Sequence, residues 1–199
     1  MTDKLIIFGC GGHAKAVLDV VLYNGEYKEI IFVDENAKEN ETILDFPVIK
    51  NYTITKEDVF IAVGNNEKRM QLGKKYYKNL VSIVSKKAYI GKNVTIGKGV
   101  FVAHNAHVGI MSRISDFCII NSSASLVHEC VLAETVFIGP NTTLCGKVHI
   151  GNNSFIGASA TIIDNIKINK NITIGASTVV IKDLIKEGIY VGNPARFIK

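Results

Sequence analysis

No CxxC pair, no long block of basic residues and no uninterrupted apolar stretch of membrane-spanning length occurs in this 199-residue chain. Each absence removes a class of protein. The four cysteines (Cys10, Cys118, Cys130, Cys145) lack paired spacing, so they offer neither a disulfide framework nor a metal site and read as reduced packing residues. A formal net charge of +5 invites a nucleic-acid reading, but the Lys and Arg residues are scattered. That pattern gives a solvated surface with some preference for phosphate-bearing ligands, and no nucleic acid is expected as partner. The N-terminus has no basic-then-apolar signal pattern. A cytoplasmic protein with no membrane span is expected.

What the chain does have is a period. Every sixth residue from Ile90 to Val180 is Ile, Val or Leu, without a slip. Two residues earlier in each hexad stands something small or β-branched, such as Ala88, Ser112, Cys118, Ala124, Cys130 or Thr142. A period of six excludes an amphipathic helix, whose apolar stripe follows 3.6. It fits a β-solenoid in which each hexad supplies a short strand and a corner, and three hexads close a triangular coil of about 18 residues. The small partner follows from packing, because two large inward side chains per strand would overfill the prism.

Ahead of the hexads, Leu5 to Phe8 reads as a strand, Gly9 to His13 as a glycine turn, Ala14 to Tyr23 as a helix and Ile30 to Val33 as a second strand ending at Asp34 and Glu35. This is a βαβ unit with a G-x-G-x-x-A pattern and an acidic residue at its second strand end, which suits a phosphate near the helix N-terminus and a ribose on Asp34. A third strand, Val59 to Val63, ends at Gly64, Asn65 and Asn66, and a short strand from Leu80 to Val84 leads into the first hexad. The section is too short for both halves of a dinucleotide fold, so a mononucleotide is the better ligand, with Gly11, Gly12, His13, Asp34, Glu35, Gly64 and Asn65 converging at the strand ends. The plainer alternative is that the glycines only make a turn and Asn65 and Asn66 only cap a helix. Two units are expected: an α/β Rossmann-like domain over residues 1–85 and an all-β solenoid with a C-terminal cap over residues 86–199. Ile185, Ile189 and Phe197 are candidates for the cap.

Among the five histidines, His128 has the most suggestive surroundings. It lies two residues after an inward leucine, at an outward corner, and one coil later the same column holds Gly146. Coils stack at roughly 4.8 Å, so a glycine beside the imidazole leaves a backbone N–H unobstructed next to a potential base. Such a base and donor are what removal of a proton and stabilisation of an oxyanion require, and Glu129 is placed to orient and charge-stabilise the ring. The alternative is an ordinary surface histidine. His104 and His107 share a hexad without further zinc ligands and are read as surface or intersubunit residues; His149 points to solvent and His13 belongs to the glycine turn.

The segments FGCGGHAK, FIAVGNNEKR, NSSASLVHEC and VGNPAR together with the hexads resemble the sialic acid O-acetyltransferase and nucleotide-amino-sugar N-acetyltransferase family of left-handed β-helix proteins, nearest to its UDP-4-amino-sugar branch of bacillosamine synthesis. The resemblance covers nearly the whole chain. It implies a left-handed parallel β-helix and a homotrimer with active sites between solenoids. It also implies transfer of an acetyl group from acetyl-CoA, without a metal, to the amino group of a nucleotide-linked sugar for surface glycan or glycoprotein synthesis. Carried over, the catalytic base is His128, its acidic partner Glu129 and the thioester-oxygen donor Gly146. Nucleotide-sugar contacts fall on Gly11, Gly12, His13, Asp34, Glu35, Gly64 and Asn65, and acetyl-CoA contacts on Gly146, Ala158 and Ala176. Phe137 stands where the relatives place a second histidine near acetyl-CoA. O-acetylation of sialic acid or another nonulosonic acid is the rival activity, and a non-catalytic nucleotide-sugar-binding subunit the rival of another class.

Overall fold

The computed structural model describes residues 2–199. Its first section is a five-stranded sheet ordered β3-β4-β2-β1-β5, built from β1 (Lys4–Phe8), β2 (Glu29–Val33), β3 (Thr42–Ile43), β4 (Phe46–Ile49) and β5 (Asp58–Ile61). Strand β1 pairs in parallel with β2 and β5, as a fully buried apolar run should. Helix α1 (Gly12–Asn24) makes the crossover, burying Ala14, Val17, Leu18, Val20 and Val21. Helix α2 (Asn66–Lys75) follows β5. The hairpin β3–β4 has no counterpart in the sequence reading, because two- and four-residue strands carry too little alternation to register. The expected strand from Leu80 is shorter than its apolar run: Leu80 forms one bridge to Val59, and only Ile83–Val84 is a strand.

From Ile83 onward the chain winds as a parallel β-solenoid with three faces. The first face begins at Ile83–Val84 and runs through Phe101–Val102 and Phe137–Ile138 to Gly188–Val191; the second runs from Tyr89–Ile90 to Val179–Val180; the third runs from Thr95–Ile96 to Lys167–Ile168. Equivalent strands pair with a register of 18 residues, as in Leu126 opposite Leu144 and Ile138 opposite Ile156. The sixth-residue aliphatics and their small partners form one continuous core, fully buried from Val100 to Ile162 except for slight exposure at a few positions; Ile90 and Ile96, in the first coil, are only partly buried. At every corner from Asn93 to Ser177 one residue takes a left-handed conformation, among them Met111 (φ 62), Glu129 (φ 54) and Lys147 (φ 59). Asn, cheapest there after Gly, fills many of these corners.

Cys118 and Cys130 occupy inward positions, where burial pushes their thiols up to about 12 and about 11. They remain protonated and donate to the carbonyls of Ala133 (3.0 Å) and Cys145 (3.2 Å), which makes them packing groups. The cap differs from expectation. Ile185 is 73% exposed, and the core is closed instead by Leu184, Tyr190 and Ala195. The physical reason is that Gly188–Val191 continues the first face in parallel and turns Tyr190 inward, leaving Ile185 on the turn before it. No helix among the described residues is long and apolar enough to cross a membrane.

The α/β section sits on the first face. Phe101, Ala103 and Ile119 of that face share a buried core with Leu5, Ile7, Val17 and Phe60. His104 belongs to this contact and is not a surface residue: Nδ1 lies 2.6 Å from the Ser85 hydroxyl, Nε2 3.3 Å from Asp19, and the ring meets Tyr23 edge-on. The contact escapes any reading of hexads because Asp19 and Tyr23 come from α1, far away in sequence. His107 stacks on Tyr89 one coil earlier, and His149 is exposed with Nδ1 3.0 Å from the carbonyl of Lys147.

Candidate active site

The sequence candidates fall into three groups. At one solenoid corner, after the second-face strand Ser125–Leu126, His128 and Glu129 stand side by side with Nδ1 3.0 Å from Oε2. The corner itself fixes them. The Glu129 N–H donates to the carbonyl of Ile110 one coil back, and the His128 carbonyl accepts from the Lys147 N–H one coil on. Gly146 lies directly under the ring. A methyl group at Gly146 would touch His128 Cε1 and come within 2.5 Å of Nε2, so glycine is what lets the imidazole lie against the backbone. Among the described residues the Gly146 N–H donates to no protein carbonyl, while its neighbours Cys145 and Lys147 both do. The corner therefore offers an imidazole oriented through Nδ1, its other nitrogen free, beside an unused backbone donor. Lys147 reaches to 3.9 Å from Glu129.

Ala158 and Ala176 occupy a different corner, between the first and second faces. The backbone there is stripped of side chains: a Cβ on Gly139 would lie 2.7 Å from the Ala158 N, and one on Gly157 2.6 Å from the Ala176 N. Successive coils thus approach as closely as glycine allows and leave a smooth trough. Within one chain the second face separates this trough from His128. Phe137, on the first face next to the trough, stacks on Phe155 with centroids 4.5 Å apart and planes 7° from parallel. A phenyl ring has no hydrogen to donate to a thioester oxygen.

The third group lines the carboxyl ends of β1, β2 and β5. Only Gly9 serves the turn, with φ 105 and an added Cβ 2.8 Å from the Ala62 carbonyl. Gly11, Gly12 and Gly64 have no left-handed φ, and a Cβ on any of them would meet nothing within 4 Å. Their bareness serves no contact inside the chain and leaves the N-terminus of α1 open to a ligand. A cleft of about 340 Å³ lined by Gly9, Asp34, Glu35, Lys50, Tyr52 and Lys68 continues from this edge. Burial works against ionisation of Asp34, but hydrogen bonds from Asn36 and Cys10 outweigh it and hold the carboxyl below its ordinary range. Glu35 is exposed and paired with Lys68 at 3.0 Å. Asn65 caps α2, accepting from the Lys68 N–H at 2.9 Å, so here the plainer reading holds whatever else the residue does. His13 packs edge-on against Phe101; its Nε2 is shielded and has no hydrogen-bond partner among the described residues, and burial followed by the charge of Arg69 lowers the ring to about 4.

Two residues near this group were not among the sequence candidates for a site. Asn66 donates to the carbonyl of Ser154 (3.5 Å), and Arg69 is fully buried against the solenoid. Arg69 is one of three arginines in a chain that otherwise uses lysine, and four residues before Gly73 on one helix face; that pairing was the available signal.

Comparison with known proteins agrees with this architecture. Residues 4–76 match the PglD N-terminal domain. The acetyltransferase domain of PglB from Neisseria gonorrhoeae FA1090, solved in complex with acetyl coenzyme A, is 30% identical over the whole of both chains with a TM-score of 0.93. A variant of perosamine N-acetyltransferase from Caulobacter crescentus, in complex with CoA and GDP-perosamine, is 28% identical over 98% of this chain and 97% of that one, with a TM-score of 0.88. Uncharacterized protein L142 of Acanthamoeba polyphaga mimivirus is 35% identical over 113 residues, 55% of this chain but 23% of its own length. With 30% identity over the full length of both chains and one shared fold, the chain belongs to the hexapeptide-repeat acetyltransferase family that includes the PglB acetyltransferase domain.

Proposed function

We propose that this protein transfers the acetyl group of acetyl-CoA to the amino group of a nucleotide-linked amino sugar. The observation that carries the reading is the His128 corner: an imidazole held through Nδ1 by Glu129, lying on a glycine whose N–H is unused. Solved relatives bound to acetyl-CoA, and to CoA with GDP-perosamine, support the choice of donor and acceptor class. As the amine nitrogen bonds to the thioester carbon, neutral His128 accepts its proton at Nε2, and the Gly146 N–H donates to the oxyanion that forms. Collapse of the tetrahedral intermediate breaks the C–S bond, releasing CoA thiolate and the amide. The protein supplies position and electrostatics, with no covalent acyl-enzyme.

The trough at Ala158 and Ala176 takes the pantetheine arm, and the edge formed by Gly11, Gly12, His13, Asp34, Glu35, Gly64 and Asn65 takes the nucleotide sugar. Since the second face separates the trough from His128 in one chain, the base of one copy serves the trough of the next in a homotrimer. Exposed Ile110, Met111, Val127, Ile163 and Ile181 around the His128 corner suit such packing. Residues 1–85 bind the acceptor and 86–199 hold the chemistry. Unpaired cysteines and this donor fit a cytoplasmic enzyme.

The test is incubation with acetyl-CoA and a panel of UDP-, GDP- and dTDP-linked 4-amino sugars and sialic acids, following CoA thiol release and amide formation. Amide formation on a nucleotide amino sugar is expected. Acetylation of sialic acids alone would transfer the assignment to O-acetylation, and tight nucleotide binding without turnover on any acceptor would make the protein a binding subunit.

A further inference from the structure

Arg69 uses all five of its N–H groups on neutral partners. Nε donates to the Phe117 carbonyl at 2.8 Å, Nη1 to the carbonyls of Val63 and Gly64 at 3.1 Å each, and Nη2 to Asn66 Oδ1 at 2.7 Å and the Thr135 carbonyl at 3.2 Å. Among the described residues no carboxylate forms an ion pair with it. Burial lowers the guanidinium to about 10, which leaves it charged at neutral pH.

A buried cation is costly to desolvate, and these five hydrogen bonds offset that cost by satisfying oxygens that an apolar side chain would leave without a donor. What the planar fork adds is a fixed spacing among groups from separate segments. Val63 and Gly64 belong to the loop that leads from β5 into α2. Phe117 and Thr135 are corner residues of two successive coils, 18 residues apart. One helical turn after Arg69, Gly73 lets α2 press on the same corner, since a Cβ there would lie 2.6 Å from Phe117 Cδ1. The loop is thus tied to the solenoid through one side chain, and it opens onto a cleft of about 430 Å³ that has Gly64 and Asn65 on one wall and Phe155 and Thr173 on the other.

We propose that Arg69 is a positioning residue for acetyl transfer: it holds the loop Val63–Asn66 at a set distance from two coils of the solenoid, and so aligns an acceptor bound by Gly64 and Asn65 with the solenoid chemistry. This inference rests on the nucleotide-sugar assignment of that loop. Arg69 touches no reacting atom; it acts through the loop carbonyls.

The experiment compares the full chain with its Arg69→Met and Arg69→Lys variants and with Asn66→Ala, which removes one of the five partners together with the long Asn66–Ser154 contact and leaves Arg69 its four carbonyls. Steady-state kinetics are measured for both substrates, with thermal unfolding and amide hydrogen exchange of residues 63–68 alongside. Misplacement by about an ångström costs on the order of 100-fold, so kcat/KM for the acceptor should fall by about 10- to 100-fold while KM for acetyl-CoA stays within about twofold. Asn66→Ala should show the same split at smaller size, and exchange should quicken in residues 63–68. A folded Arg69→Met enzyme with unchanged acceptor kinetics overturns the proposal, as does a KM for acetyl-CoA that rises as far as kcat/KM for the acceptor falls. If neither Arg69 variant folds, Asn66→Ala decides by the same criteria. If the wild-type chain acetylates no nucleotide amino sugar, the proposed function fails instead. The clamp is then judged by exchange: faster exchange confined to residues 63–68 supports it, and unchanged protection overturns it.

Discussion

The solenoid and the α/β section solve the same problem, burying apolar surface, in opposite ways. In the solenoid each contact repeats at a separation of 18 residues, and its core is an unbroken stack from Val100 to Val180. The polar side chains it buries are small hydroxyls in the same inward columns, Ser112, Thr142, Ser154 and Thr178. The α/β section and its docking surface instead bury polar groups one at a time: Arg69 on carbonyls, Asn24 with its amide donating to the Val84 carbonyl, His104 on Ser85 and Asp19. A repetitive scaffold can carry reactive side chains at no cost to its own core. An irregular joint has to spend polar groups to fix one orientation. Chemistry on the solenoid should therefore be separable from stability, and chemistry at the joint should not.

The sharpest break of that comparison is His128→Ala. Loss of a general base lowers turnover by about 10²- to 10⁴-fold, and the melting temperature should stay that of the wild type, since His128 is exposed and outside the core. Full activity in this variant removes His128 from the mechanism. Next in size is Leu132→Ala, a core change on the third face. It should cost about 2–5 kcal/mol in denaturant unfolding, because stacked coils relax little into a cavity. A much smaller loss would mean that coils collapse independently.

Two glycines refine the contrast. Gly146→Ala places a methyl against the His128 ring, which can turn away, so kcat/KM should fall by about 10- to 100-fold at nearly constant stability. Gly109→Ala drives its methyl into the Val127 carbonyl, which cannot yield, so stability should fall instead. Equal behaviour of the pair would erase the distinction between corner chemistry and coil contact. The smallest effect concerns His13, at the joint. Its folded value, about 4, lies below the ordinary 6.5, so the unfolded chain binds the proton more tightly. The stability gained from keeping the ring neutral is complete above pH 6.5 and is lost as pH falls from there toward 4. His13→Gln should flatten that part of a melting-temperature profile against pH.

Most of the solenoid is legible in the sequence, because one number, the period of six, sets strand, corner, inward column and coil. The adjacency of His128 and Gly146 follows from the same arithmetic applied three hexads at a time. Gly11, Gly12 and Gly64 are legible as a strand-end edge, although only the tertiary structure separates them from Gly9, whose turn does need glycine. The β3–β4 hairpin, the Leu184, Tyr190 and Ala195 cap and the place of His104 were not legible. Each depends on partners at separations that follow no period.

The sequence by itself determined that an aliphatic column would coil, which side chains would face inward and which corner would hold a histidine over a glycine, since translation along a solenoid turns distance in space into a constant distance in sequence. Only the tertiary structure decided how the α/β section sits on the first face, that Arg69 joins Gly64 to Phe117 and Thr135, and that the trough at Ala158 and Ala176 lies a full face away from His128. Those relations arise where an aperiodic domain meets a periodic one, and the hydrogen bonds that settle them join residues that no repeat places together.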